Sequence, residues 1–229
     1  MHVMVFCALV MGIPIAALCI AHYQKFQTFN VLAQSLIGFL VVNVVICVWE
    51  LALFYRFDAI TKVHSRRLKD GFYKGTPEGA ALRDKEPLIV FRSYPFAKMF
   101  SLSTWSEVWS DYARYDVSYT DKSTFGYNID VGNGHSTLIT SVLLLVCMVN
   151  PLWSPRVVGI VGIVLFYQKA YGTFVYLFAY INNKRYTIST WNEIIFCVLC
   201  TNFLWILFPV LGFSASVDMI MSDSFAMIQ

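Results

Sequence analysis

Charge is what this sequence has least of: 14% of its 229 residues are Asp, Glu, Lys or Arg, against roughly a quarter in a soluble domain. The charges it has are crowded. Twelve basic and ten acidic residues lie between positions 56 and 133, and nine are spread over all the rest. The net charge of +3 mixes both signs, which argues against a nucleic-acid surface. There is no Asn-x-Ser/Thr acceptor, no charged leader ahead of the first apolar run, no internal repeat and no heptad. A transporter built from inverted repeats with Gly/Pro-broken helix pairs is therefore not expected. Six cysteines all lie in apolar stretches, where a free thiol behaves as a small hydrophobe. Cys197 and Cys200 have CxxC spacing but no second pair, so neither a metal nor another cofactor is expected.

What is abundant is apolar length. Hydrophobic residues make up 58% of the chain, and about 20 apolar residues in a helix cross a bilayer. Five spans can be drawn, at 3–21, 31–55, 134–150, 157–182 and 191–213, with the third free to extend back toward Asp130. The run from Val3 to Ile20 reads as a retained span, with Pro14 as a tolerated kink point. The expected fold is an all-α integral membrane protein: five transmembrane helices and a short amphipathic interfacial helix in the long loop between the second and third. By segment this gives a first helix and loop over 1–30, a four-helix bundle over 31–215 with a polar insertion at 56–133, and a tail over 216–229.

Within the insertion, Lys69 to Lys85 is rich in Gly, Lys and Asp and reads as an exposed loop. Thr104-Trp-Ser-Glu107 has the pattern of a capping box. Trp105, Val108, Trp109 and Tyr112 then follow on one helical stripe, which suits a helix lying among lipid headgroups. Arg56, Lys62, Arg66, Arg67, Lys184 and Arg185 outnumber Lys25 and Arg156 across the span ends, which predicts a cytosolic N-terminus and a cytosolic long loop.

A few polar groups stand where lipid would not tolerate them. Glu50 lies in an apolar run, where ionisation is expensive, so it should face the bundle interior and can hold a proton at neutral pH. Asp130, Asn133 and His135 sit in a glycine-containing stretch that reads either as an irregular lead-in that clusters them or as a simple Asn133 cap. His135 can carry a proton but has no partner at metal-ligand spacing. Lys169 needs an anion, and Glu50 and Asp130 are the candidates. Asn202 and Trp205 share a helix face, one able to hydrogen-bond across helices and the other offering a π-face to a cation.

Three local patterns carry a resemblance. Trp109, Tyr112, Ala113, Asp116 and Tyr119 follow the spacing W-x-x-Y-A-x-x-D-x-R-Y, with Ser118 in place of the arginine. Tyr171, Gly172 and Tyr176 follow Y-G-x-x-x-Y, and Asn202, Leu204, Trp205 and Pro209 follow N-x-L-W-x-x-x-P. In order and spacing, residues 35–215 resemble the EXPERA superfamily, which contains the sterol Δ8-Δ7 isomerase known as emopamil-binding protein and the sigma-2 receptor. The resemblance implies that Glu50 and Asp130 stand where two proton-shuttling carboxylates lie, and that Trp205 belongs to an aromatic pocket shielding a carbocation. Where the isomerase has a histidine one turn before Glu50, this chain has Ile46.

Two functions follow as expectations. The first is a membrane isomerase of a sterol or other isoprenoid, with Glu50 as acid, Asp130 or His135 as base, and Trp205, Tyr171 and Tyr176 stabilising the cation. Asn202, Asp116 and Trp109 complete the expected substrate site. The alternative is a non-catalytic sterol or lipid-binding protein, or an accessory subunit of a larger membrane complex. On either reading the partners are a membrane lipid or sterol-like ligand, with a homodimer or protein partners joined through loop 56–133. The expected location is the endoplasmic reticulum or another organellar membrane.

Overall fold

The structure is a computed structural model that describes residues 1–73 and 77–229. Apolar runs form the long helices: α1 (Val3–Phe26), α2 (Val31–Tyr55), then the shorter α3 (Phe57–Lys69), α4 (Pro77–Lys85) and α5 (Leu102–Tyr112), followed by α6 (Phe125–Val149), α7 (Pro155–Asn182) and α8 (Trp191–Ser222). α1, α2, α6, α7 and α8 are long and apolar enough to cross a membrane. Among the described residues there is no β-strand, only an isolated bridge between His2 and Ser93. Local signals set the ends. The Asn30 side chain accepts from Ala33 N at 3.0 Å to start α2, and Gln27 closes α1 in a left-handed conformation.

The bundle is built on two intimate pairs, α2 with α6 and α7 with α8. In the second, a Cβ on Gly159 would come within 2.7 Å of the Ser216 carbonyl oxygen, so only glycine lets the two backbones meet there. Phe39, Phe166, Trp205 and Phe208 fill the centre, with ring centroids 5.5 to 6.3 Å from Phe39. α1 is peripheral. Only 11% of its most apolar window is buried, against 44% for α2. Near its start α8 contains a π-helical segment, Ile194–Leu199.

Several boundaries differ from those read off the sequence. α6 begins at Phe125, where the Thr124 side chain caps Tyr127 N, so the polar insertion ends near 124 and not 133. Asp130 and Asn133 lie in regular helix with their side chains turned toward a cavity inside the bundle, and no irregular lead-in forms. α8 continues to Ser222, so the bundle extends past 215. The short tail beyond it packs back, with the Ile228 carbonyl 2.8 Å from His22 Nε2.

The insertion is a folded unit, not an exposed loop. Within Lys69 to Lys85, residues 74–76 lie outside the described residues, but α4 is helical and Phe72 is buried between the guanidiniums of Arg67 and Arg114, 5.0 and 5.3 Å from its ring. Arg67, only 3% exposed, donates from Nε to Glu86 at 2.9 Å, and from its two terminal nitrogens to Asp111 at 3.1 Å and to the Ser110 carbonyl. Arg114 reaches Asp111 at 2.8 Å, and Asp111 also accepts from Ile89 N at 2.6 Å. Polarity misled the reading because these charges face one another. α5 likewise starts at Leu102, capped by Ser101, while Glu107 bonds Arg92 and Tyr94 instead of a helix end. Its aromatic stripe is buried in the protein: Trp105 stacks on Trp49 at 5.4 Å, and the Trp109 indole donates to the Trp49 carbonyl at 2.6 Å.

Removing Arg67 by Arg67→Ala leaves the buried Asp111 with Arg114 as its main counter-charge. Breaking a buried pair in this way costs about 3 kcal/mol or more. Hydrogen exchange should rise throughout 57–121 while α2 and α6 stay protected. Acid should act at the same place. Burial pushes the Glu86 carboxyl up, but hydrogen bonding to Arg67 and the charges of Arg67, Arg66 and Arg114 outweigh it and hold its pKa below the usual range. A lowered carboxylate pKa contributes stability that is complete above the ordinary value of about 4.3 and is lost as pH falls through the lowered one. Trp105 and Trp109 fluorescence should therefore report loosening of α3–α5 below about pH 4. A flat signal down to pH 3 would contradict this.

Candidate functional site

The site begins with a glycine. A Cβ on Gly134 would come within 2.8 Å of Glu50 Cβ and 3.1 Å of Cys47 O and Leu51 N. Its absence lets α6 lie against the α2 backbone at Glu50, with Asp130 one turn earlier on α6 facing the same way. Across from this seam stand large rings. Trp49 of α2, Trp109 and Tyr112 of α5, Tyr119 before α6, Tyr176 of α7 and Trp205 of α8 line a partly open cavity of about 440 Å3 that both carboxyls also line. This falls within the roughly 300–1,000 Å3 of small-molecule sites, which are mostly apolar with a few convergent polar groups. A cleft of about 500 Å3 over the Arg67–Asp111 network is larger, but its charges are already engaged with one another.

Polar contacts fix the walls. The Asn202 amide donates to the Tyr112 hydroxyl at 3.4 Å and to the Val198 carbonyl at 2.7 Å. The Trp205 indole N–H points to Asn43 Oδ1 at 3.4 Å, and Asn43, fully buried, donates to Ser141 at 2.8 Å. The hydroxyls of Tyr112 and Tyr176 are 3.3 Å apart, and Tyr176 donates to Asp116 at 2.9 Å. Arg185 stands 3.6 Å from the same Asp116 oxygen. Burial pushes the Tyr112 and Tyr119 phenols well up, so both remain neutral hydrogen-bond donors.

Compared with protein-family models, curated proteins and solved structures, the chain matches none. Its chemistry therefore rests on its own atoms.

Of the residues singled out from sequence, Glu50, Asp130, Trp109, Tyr176, Asn202 and Trp205 line one cavity, and Asp116 supports it from behind through Tyr176. Two do not belong. His135 is exposed on the outer face of α6, with its ring 5.1 Å from Phe54 and Nδ1 against the Val131 carbonyl, because five residues along a helix from Asp130 turn it away. Tyr171 is 54% exposed and stacks on Tyr167 at 5.6 Å, while its neighbour Gly172 faces the cavity. Lys169 was legible only as a cation in need of a partner. It is fully buried, with Nζ 3.5 Å from Glu50 Oε1. Trp49 was missed, since nothing in sequence separates it from other rings in apolar helices.

Gly134→Ala should part α2 from α6. Overpacking of this kind costs about 1–3 kcal/mol, set against about 1 kcal/mol gained in helix propensity. We expect a lower melting temperature in detergent. A higher one would mean that the helices do not meet there.

Proposed function

We propose that the chain is an integral membrane protein that isomerises a double bond in a sterol or other isoprenoid through proton transfers by Glu50 and Asp130. The observation that carries this reading is that both carboxyls line one cavity whose remaining wall is mainly aromatic and apolar. Such a wall suits a lipid with few polar groups. An acid and a base in reach of the same alkene can add a proton at one carbon and remove one from a neighbour, which is worth about a hundred- to ten-thousand-fold. The rings of Trp205, Trp109 and Tyr176 face the intervening cation, each adding up to about 2 kcal/mol where water is excluded. The resemblance to the EXPERA superfamily agrees, since most of the residues that carry it, among them Tyr112, Asp116, Tyr119, Tyr176, Asn202 and Trp205, gather at this cavity or directly behind it, Tyr171 being an exception.

In this reading the five long helices span an organellar or endoplasmic-reticulum bilayer, and the insertion rests on its surface with α5 at the interface. Phe91, Phe96 and Phe100 support that placement, being 59 to 67% exposed beside the N-terminal end of α1. A non-catalytic lipid-binding protein is the second reading. It is favoured by Ile46, which lines the cavity one turn before Glu50 and brings no proton carrier there.

The test is deuterium incorporation. Protein in lipid nanodiscs, incubated in D2O with a panel of sterols and linear isoprenoids, should place solvent deuterium on the carbon that leaves the double bond of its substrate. Glu50→Gln and Asp130→Asn should each lower the rate by at least about a hundredfold, whereas His135→Ala and Tyr171→Phe should leave it within a factor of a few. A tightly bound lipid recovered without exchange would select the second reading. Unchanged turnover in Glu50→Gln would remove the first.

A further inference from the structure

The bundle interior around the cavity holds an unequal set of charges. Asp116 faces Arg185 at 3.6 Å and accepts from Tyr176. Glu50 faces Lys169 at 3.5 Å, with both side chains essentially sealed. Asp130 makes no ion pair among the described residues. The titratable groups around Glu50 are Cys47 on α2, Asp130 on α6, Lys169 on α7, and the phenols of Tyr112 and Tyr119. Of these, Lys169 alone brings positive charge.

A carboxylate in an apolar interior is held by a counter-cation, and one without a counter-cation takes up a proton instead. From this geometry we infer that Lys169 is a positioning residue that divides the work between the two cavity carboxyls, keeping Glu50 as the ionised proton acceptor and leaving Asp130 to carry the exchangeable proton. This reverses the roles expected from sequence, in which Glu50 was the acid. It deepens, and rests on, the isomerase reading given above.

The hydrogen bonding agrees. Glu50 Oε1 is turned to Lys169, while Oε2 is buried with no hydrogen-bond partner among the described residues, which leaves an acceptor lone pair free beside the cavity. Asp130 has beside it the Tyr119 hydroxyl, a neutral group that can accept a carboxyl proton as well as donate its own, and no cation closer than Lys169. The cycle closes without any added reagent. The Asp130 carboxyl gives its proton to one alkene carbon, leaving the positive charge on the other. Glu50 then removes a proton from the next carbon, and the electrons of that C–H bond become the new double bond. Glu50 then releases its proton to solvent and Asp130 takes one up from it, so none is consumed and each turnover carries solvent hydrogen into the product.

The experiment reads charge state and needs no substrate: infrared spectra of the full chain in nanodiscs at neutral pH, following the C=O stretch of buried protonated carboxyls. The wild type should give one such band, lost in Asp130→Asn and kept in Glu50→Gln. Lys169→Met should add a second band, which Glu50→Gln in the same background removes. Lys169→Arg, which keeps the cation, should restore the wild-type spectrum. A band lost in Glu50→Gln instead of Asp130→Asn, or no change in Lys169→Met, overturns the assignment. Should Lys169→Met not fold, the Asp130→Asn and Glu50→Gln pair still decides it. Failure here would leave deuterium incorporation intact, and absence of turnover would leave the spectrum intact, so the two ideas fail separately.

Discussion

The interior depends on one ion pair in an apolar place. Lys169 and Glu50 come from helices far apart in the chain, and each would be intolerable in the bundle without the other. Their meeting fixes the rotation of α7 relative to α2, and with it the positions of Thr173 and Tyr176, which follow Lys169 at helical spacing and face the cavity. The close α2–α6 seam does the same for Asp130. A polar centre inside a membrane-like bundle thus specifies geometry, where purely apolar packing would permit several rotations. Whether the pair also adds net stability is a separate matter, since desolvation offsets much of the attraction.

The second constraint lies outside the long helices. The insertion folds around Arg67, Glu86, Asp111 and Arg114, and this ionic core presents α5 to the bundle with its apolar stripe inward. Trp109 and Tyr112 are therefore roof residues of the cavity, although they belong to the most charged part of the chain. The strand-like bridge at His2 and the bond from Val3 N to the Arg92 carbonyl at 3.0 Å tie the start of α1 to the same unit. Roof and bundle are thereby one body.

Much of this was legible in sequence where a single physical signal dominated. Hydropathy and length located five helices, because nothing else demands twenty apolar residues in a row. It erred where polar residues are helical for reasons of context: at Phe125–Asn133, and in the insertion, where charges that look solvated are paired across forty residues of chain. Most of the cavity wall was anticipated through residue types and spacing. His135 and Tyr171 lie outside the cavity wall, His135 because 130–135 is regular helix where its glycines suggested an irregular stretch, and Tyr171 because the rotation of α7 is set by tertiary partners that sequence does not reveal. Lys169 was visible as an oddity, but its partner was one of two until the helices were packed.

The π-helical segment at Ile194–Leu199 has a consequence for the far wall. Such a segment accommodates one residue more than regular winding allows, and one residue corresponds to about 100° of rotation. Everything downstream on α8 is offset by that angle from the face set by Trp191–Glu193. Asn202 and Trp205 look inward on account of the surplus residue, so the hand that aims the indole is a local irregularity of winding a full turn or two away from it.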